Sequence, residues 1–159
     1  MRKVVFILLL VLTFGCQRDD LCGENFQVTP LINIEFYDIA SPGELKSFNN
    51  LVLINETIGD TIAYEGGNSI SIPLATDSDE TKYRFIKNVG TENPSEDRLR
   101  FTYSRRDVYV SRACGFKVEF LDLQVQVLDD NPAEKWIKNT DVRKSIIQSD
   151  ENIHLFMFH

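Results

Sequence analysis

The chain has 159 residues, 43% of them hydrophobic and 26% charged, with 17 basic side chains against 24 acidic ones and a formal net charge of −7. That length suits one globular domain, and the hydrophobic content excludes a disordered polyelectrolyte. The acidic balance, with a sequence pI near 4.8, argues against nucleic acid as a partner, because its binders carry a basic stripe.

Arg2 and Lys3 open the chain, and Val4 to Phe14 follow as an uncharged apolar run. A spanning helix needs about 20 apolar residues, so this shorter run reads as the h-region of a secretory signal. Phe14-Gly15-Cys16 then puts a small residue directly before a cysteine. The arrangement resembles the lipobox of bacterial lipoproteins, although Leu12 stands one place further from the cysteine than the usual leucine and Phe14 is bulkier than usual. The resemblance implies removal of residues 1–15, acylation of Cys16 and attachment to a membrane through N-terminal lipid. A buried Cys16 is the structural alternative. Gln17-Arg18-Asp19-Asp20 is similar to the export signal of flavobacterial lipoproteins, which implies display on the outer face of the outer membrane. A solvated tether with periplasmic display is the alternative.

Removing residues 1–15 takes away Arg2 and Lys3, leaving 144 residues with 15 basic against 24 acidic side chains and a net charge of −9. Such a charge keeps the body soluble and off an anionic lipid surface, so membrane attachment falls to the lipid. An odd number of thiols is a liability in an oxidising compartment. With Cys16 acylated, Cys22 and Cys114 remain as an even pair able to form a disulfide that staples the N-terminal stretch to the body. Two free buried cysteines are the alternative; a zinc site lacks ligands at C-x-x-C or H-x-H spacing.

The body reads as strands. Leu31 to Phe36 alternate around Asn33 and Glu35, ending in a turn cluster at Ser41-Pro42-Gly43, and Leu51 to Ile54 form a short apolar strand. Thr61 to Tyr64 and Ser69 to Leu74 flank Glu65-Gly66-Gly67-Asn68, which predicts a hairpin, with Pro73 marking an edge. Tyr83 and Phe85 mark the next strand, and beyond a loop over residues 88–97 Leu99, Phe101 and Tyr103 share one face. A tight connection is expected at Arg105-Arg106-Asp107, and Gly115 interrupts before a long strand over Lys117 to Leu128. In it Val118 and Phe120 hold one parity while Leu121, Leu123, Val125 and Val127 hold the other, which predicts a bulge near Phe120 and Leu121. Asn131-Pro132-Ala133-Glu134 suggests one helical turn, with Trp136 to Ile147 undecided between strand and helix and a final hairpin around residues 149–152.

The organisation is therefore a signal over residues 1–15, a lipidated tether over 16–29 and one β-domain over 30–159. Many short strands predict an all-β, antiparallel β-sandwich, of which the immunoglobulin fold is one form, with a closed β-barrel as the alternative. The immunoglobulin signature itself is missing, because Cys22 precedes the first clear strand, Trp136 follows Cys114, and Tyr109 lies five residues before Cys114.

Enzymatic signatures are missing too. His154 and His159 are the two histidines, and the chain has no nucleophile elbow, no H-E-x-x-H and no phosphate loop, so no catalytic residue, cofactor or metal is expected. His154 reads as a surface or sheet-packing residue. Glu35 with Asp38, and Asp129 with Asp130, are carboxylate pairs of the kind glycoside hydrolysis uses, in a chain where such pairs arise by chance. Asp77-Ser78-Asp79-Glu80 reads as a solvated turn, since the EF-hand spacing is absent. Arg98, Arg100 and Arg112, near Arg105 and Arg106, are an anion-binding candidate, because the guanidinium fork suits carboxylate and phosphate; pairing with the protein's own acids is the competing expectation.

Asp20-Leu21-Cys22, Ile34-Glu35-Phe36-Tyr37-Asp38 and Tyr109 to Phe116 (YVSRACGF) together resemble an uncharacterised family of small Bacteroidetes lipoproteins. The resemblance implies a lipid anchor and a Cys22 to Cys114 pairing and carries no catalytic residues. Asp60-Thr61-Ile62 also resembles the O-glycosylation site of that phylum. The expected function is a lipid-anchored envelope protein that binds another envelope protein or a glycan, with an envelope glycan-processing enzyme as the alternative.

Overall fold

The structure, a computed structural model, describes Cys22, residues 28–128 and residues 135–159. The signal, Cys16, the Gln17 to Asp20 stretch, the Asp129 and Asp130 pair and the helix start at Asn131 lie outside the described residues.

Among the described residues nine strands form: β1 (Ile32–Tyr37), β2 (Phe48–Asn55), β3 (Thr61–Gly67), β4 (Ser69–Ile72), β5 (Glu80–Lys87), β6 (Ser95–Ser111), β7 (Gly115–Val127), β8 (Asn139–Val142) and β9 (Leu155–Phe158). They make a four-stranded sheet, β4-β1-β9-β8, and a five-stranded sheet, β3-β2-β5-β6-β7, so the protein is an all-β sandwich. Among the described residues both sheets keep free edges, and the sandwich is not a closed barrel. These pairs are antiparallel except β1 with β9. The long chain between those two strands permits the parallel arrangement, which a short turn could not.

The core lies between the sheets. Ile32, Ile34 and Phe36 of β1, with Ile72, Leu155 and Met157 beside them, meet Leu51, Leu53, Tyr83, Phe85, Leu99, Phe101 and Phe120 from the other sheet, all buried. Each such aliphatic or phenyl side chain contributes about 1.5–3 kcal/mol when fully buried. Trp136 closes one side, stacked on Phe36 at 6.3 Å and donating its indole N–H to the Phe85 carbonyl at 3.1 Å. Beside it Asp97, only 1% exposed, accepts the Ile137 backbone N–H at 2.6 Å. The tryptophan thus packs without an inter-sheet disulfide among the described residues.

Two local expectations are corrected and two are made definite. Gly66 and Gly67 do not close a hairpin: β3 pairs with β2 and β4 with β1, and Gly67, at φ +150°, turns the chain from one sheet to the other. Arg105-Arg106-Asp107 is no turn, because β6 runs through it and the reversal comes at Arg112 to Gly115, where Gly115 takes φ +71°. The segment Trp136 to Ile147 holds the short strand β8 and otherwise irregular chain. β8 and β9 do pair antiparallel, but the chain between them reaches out to β7, where Ile147 and Phe120 exchange backbone hydrogen bonds of 2.8 and 3.1 Å. The bulge falls close to its predicted place: between the Ser104–Leu121 and Thr102–Gln124 pairs two residues of β7, Asp122 and Leu123, face one of β6, Tyr103, Asp122 adopts φ +57°, and the buried parity passes from Phe120 to Leu123.

His154 is a buried sheet-packing residue. Its Nδ1 accepts the Asn33 backbone N–H at 3.0 Å while its own backbone N–H donates to the Asn33 carbonyl at 3.0 Å, which extends the β1–β9 seam by one residue. Asn33 in turn donates through Nδ2 to the carbonyls of Asp150 and Asn152 and accepts from the Ser71 hydroxyl. Burial, followed by the nearby Lys144 ammonium, holds the imidazole below its ordinary value, and only Asp150 opposes this. A depressed histidine contributes stability that is complete above its unfolded value of about 6.5 and lost as the pH falls through that window. We therefore expect chemical-denaturation midpoints to drop between about pH 7.5 and 5.5, with a shallower drop in His154→Gln. Part of the slope should persist through His159, which burial depresses likewise. Equal slopes in the two proteins would refute the assignment to His154.

Candidate functional site

A cleft of about 570 Å³ opens at the end of the sandwich where β2 stops and β5 begins, a volume suited to a small ligand. One wall is the β2–β3 connection. There the Asn55 side chain accepts the N–H groups of Thr57 and Ile58 at 2.9 and 3.3 Å, and Gly59 takes φ +78° to close the turn. This tight loop presents Thr57, Ile58, Asp60 and Thr61 to the cleft.

The other wall is the extended segment Pro73 to Asp77, which has left β4 and is held by side chains from the opposite sheet. Tyr83 donates its hydroxyl to the Pro73 carbonyl at 2.9 Å, the Ala75 N–H donates to the Thr81 hydroxyl oxygen at 2.8 Å, and Tyr103 donates to the Ala75 carbonyl at 2.9 Å. The contact between the Thr81 and Tyr103 hydroxyls, 2.5 Å, then has only one consistent polarity. Tyr103 has spent its proton on Ala75, so Thr81 donates. Burial raises both phenols above their ordinary values, so they stay protonated donors at neutral pH. The resulting wall is rigid, and its lining mixes apolar Ile58, Ile62 and Leu74 with threonine hydroxyls and the exposed carboxylates of Asp60 and Asp77. Among the described residues neither carboxylate takes an ion pair.

Beside the cleft β6 and β7 continue past their neighbours as a two-stranded arm. Its root is tied to the cleft wall through Arg105, which pairs with Asp79 at 2.7 Å and donates to the Thr76 carbonyl at 2.7 Å. On the inner side of the arm Glu119 takes Arg106 at 2.6 Å and the buried Lys117 at 3.0 Å. At the tip Cys114 is joined to Cys22, with Cα atoms 5.0 Å apart.

The arginines are not gathered into one anion site. Arg98 forks onto Glu56 at 2.7 and 3.1 Å, and Arg100 pairs with Glu80 at 3.0 Å, so the protein's own acids occupy both. Arg112 lies at the arm tip, far along β6 from the other two. The turn acids Asp79 and Glu80 are likewise engaged, by Arg105 and by Lys82 with Arg100. Of the Glu35 and Asp38 pair, Glu35 on β1 accepts the Tyr37 hydroxyl and Asp38, just past the strand, takes Lys46 at 3.1 Å, which puts the two to separate uses outside the cleft. Among the described residues no group of three metal-ligating side chains converges.

DUF6452, described as a family of unknown function, matches residues 49–159. The chain belongs to DUF6452. No curated protein and no solved structure matches it. The DUF6452 match takes in nearly all of β2 and the strands through β9, both cleft walls and Cys114, and stops short of β1 and Cys22. Since β1 lies between β4 and β9, the four-stranded sheet of this DUF6452 member cannot form without residues that precede the match.

The cleft itself escapes a reading of the sequence, because its walls come from segments about ten residues or more apart whose threonines and aspartates look like ordinary loop residues. Asp60-Thr61 and Asp77 stand out there only as fragments of other patterns.

Proposed function

We propose that this DUF6452 member is a lipid-anchored cell-envelope protein, held at the outer membrane by an acylated Cys16 and exported by the Gln17 to Asp20 signal, whose β-sandwich serves as a binding module. Display on the outer face is the reading adopted, with the periplasmic face as the alternative that protease accessibility on intact cells separates. The observation that carries the binding role is the cleft. A preformed wall pinned by three side-chain hydrogen bonds, with carboxylates and hydroxyls beside apolar surface, suits a polyhydroxylated ligand such as a glycan: the oxygens meet its hydroxyls and the apolar wall its C–H faces. The test is retention of envelope glycans and proteins on the immobilised protein. Wild type is expected to retain a reproducible species that the Asp60→Asn/Asp77→Asn variant loses at least about tenfold, or about 1.4 kcal/mol. No retained species, or equal retention by the variant, overturns the reading.

A second reading, a glycan-processing enzyme, draws on the same two carboxylates sharing one cleft. The same incubations followed for new reducing ends decide it, since binding alone produces none.

A further inference from the structure

We propose that the tip of the β6–β7 arm is a lipid-facing surface that rests in the headgroup region of the membrane and orients the sandwich above it. The proposal deepens the anchored reading above and rests on it. Three features converge at the tip. Tyr109 and Phe116 stand opposite each other in the β6–β7 register, pack edge to face at 5.4 Å, and are 57% and 67% exposed. Water-facing aromatic pairs of this kind at the end of a projecting hairpin bury little in the fold itself. Val28, 71% exposed, lies next to Thr29, whose hydroxyl oxygen accepts the N–H of Val118, two residues along β7 from Phe116, at 3.0 Å. Arg112 is exposed on the same tip, and among the described residues it takes no ion pair, unlike Arg98, Arg100, Arg105 and Arg106.

The chemistry fits one partner. Tyrosine and phenylalanine with an arginine that takes no ion pair among the described residues match a bilayer interface, where aromatic rings sit at headgroup level and guanidinium meets phosphate. The covalent path supplies the proximity. Cys22 is bonded to Cys114 at the tip and lies six residues beyond Cys16, a stretch that spans at most about 20 Å when fully extended. An acyl chain on Cys16 therefore delivers this tip, and no other end of the molecule, to the lipid surface. A body of net charge −9 is repelled by anionic lipid, so contact through a short projecting hairpin is the arrangement that keeps the acidic sheets in water. The cleft, at the root of the same arm, then faces the space close above the membrane.

The test uses the full lipidated protein reconstituted into vesicles of phosphatidylethanolamine and phosphatidylglycerol carrying lipids brominated near the headgroup. Phe116→Trp places a fluorophore at the tip, and Val89→Trp places one in the β5–β6 loop at the far end of the sandwich; the native Trp136, 4% exposed, gives the common background. The expected result is that Phe116→Trp loses most of its added emission to the bromines and shifts to the blue, while Val89→Trp loses none. An unquenched tip fluorophore, or equal quenching in the two variants, overturns the proposal. Fatty-acid labelling of the same preparations against Cys16→Ala keeps the two ideas apart. Label lost in Cys16→Ala with Phe116→Trp unquenched rejects the tip contact alone, whereas equal labelling with and without Cys16 rejects the anchor and the tip contact with it.

Discussion

Cys114→Ser is expected to cost up to about 4–5 kcal/mol of stability, the chain-entropy value for opening a loop of this length. The Cys22–Cys114 bond has a sequence separation of 92 residues and encloses β1 to β6, so its loss frees most of the domain in the unfolded ensemble. For a domain of this size the shift in melting temperature is on the order of 10–20 °C. Cys22→Ser should produce the same loss, and the double variant no more than either, because both ends act through one bond. Thiol counting in denaturant supplies the direct check: no reactive thiol from Cys22 or Cys114 before reduction and two after. Two reactive thiols without reductant, or a single variant as stable as wild type, would refute the staple. A loss of only about 1 kcal/mol would mean that the arm tip opens locally and that the bond restrains the arm rather than the fold.

What the sequence discloses and what it hides divide along physical lines. Leu99, Phe101 and Tyr103 announce their face because one side of β6 is buried there, and alternation follows burial. The Asp122 bulge is legible for the same reason, since a core-facing strand that changes parity must insert a residue. Past Tyr103 the strand leaves the sandwich. Arg105, Arg106 and Asp107 face no core, their alternation disappears, and a run of charges on an exposed arm looks like a turn. Gly66-Gly67 marks the break between β3 and β4 but cannot say which sheet receives the chain, because that depends on β1 and β9, distant in sequence. The cysteine pairing follows from counting once Cys16 is set aside as the acylated residue, whereas the cleft depends on topology that brings Asp60 and Asp77 together.

The arginines show a further limit. A cluster in sequence, spread along a strand of 17 residues, becomes a row of separate sites, each facing a different acid. Arg98 meets Glu56, Arg100 meets Glu80, Arg105 meets Asp79 and Arg106 meets Glu119. Cross-strand pairing of this kind steadies the sheet and specifies register. Arg112, at the tip, takes no such pair among the described residues.

Glu119→Ala is expected to destabilise the protein by about 3 kcal/mol, the lower end for breaking a buried ion pair, because Arg106 gives the cluster a solvated side. The Glu119 side chain is 9% exposed and the Lys117 side chain 4%, whereas Arg106 is 51% exposed. Burial by itself raises the Glu119 carboxyl, but the hydrogen bonds from Arg106 and Lys117 outweigh it and hold the group below its ordinary value. A depressed carboxyl contributes stability that is complete above its unfolded value of about 4.3 and lost as the pH falls through the folded one. The gap between wild type and Glu119→Ala, measured by urea unfolding, should therefore be full at about pH 7 and shrink below about pH 4. Removing the carboxylate takes the ion-pair partner Glu119 from the buried Lys117 ammonium, which also donates to the Gln148 carbonyl at 3.3 Å, and the loss of that pairing for a buried charge is the main cost. Lys117→Met/Glu119→Leu removes both charges at similar volume and should recover most of the loss. If the double variant is as unstable as Glu119→Ala, the cluster holds the arm by packing and not by charge; if Glu119→Ala matches wild type at neutral pH, the pair contributes nothing to the arm's attachment.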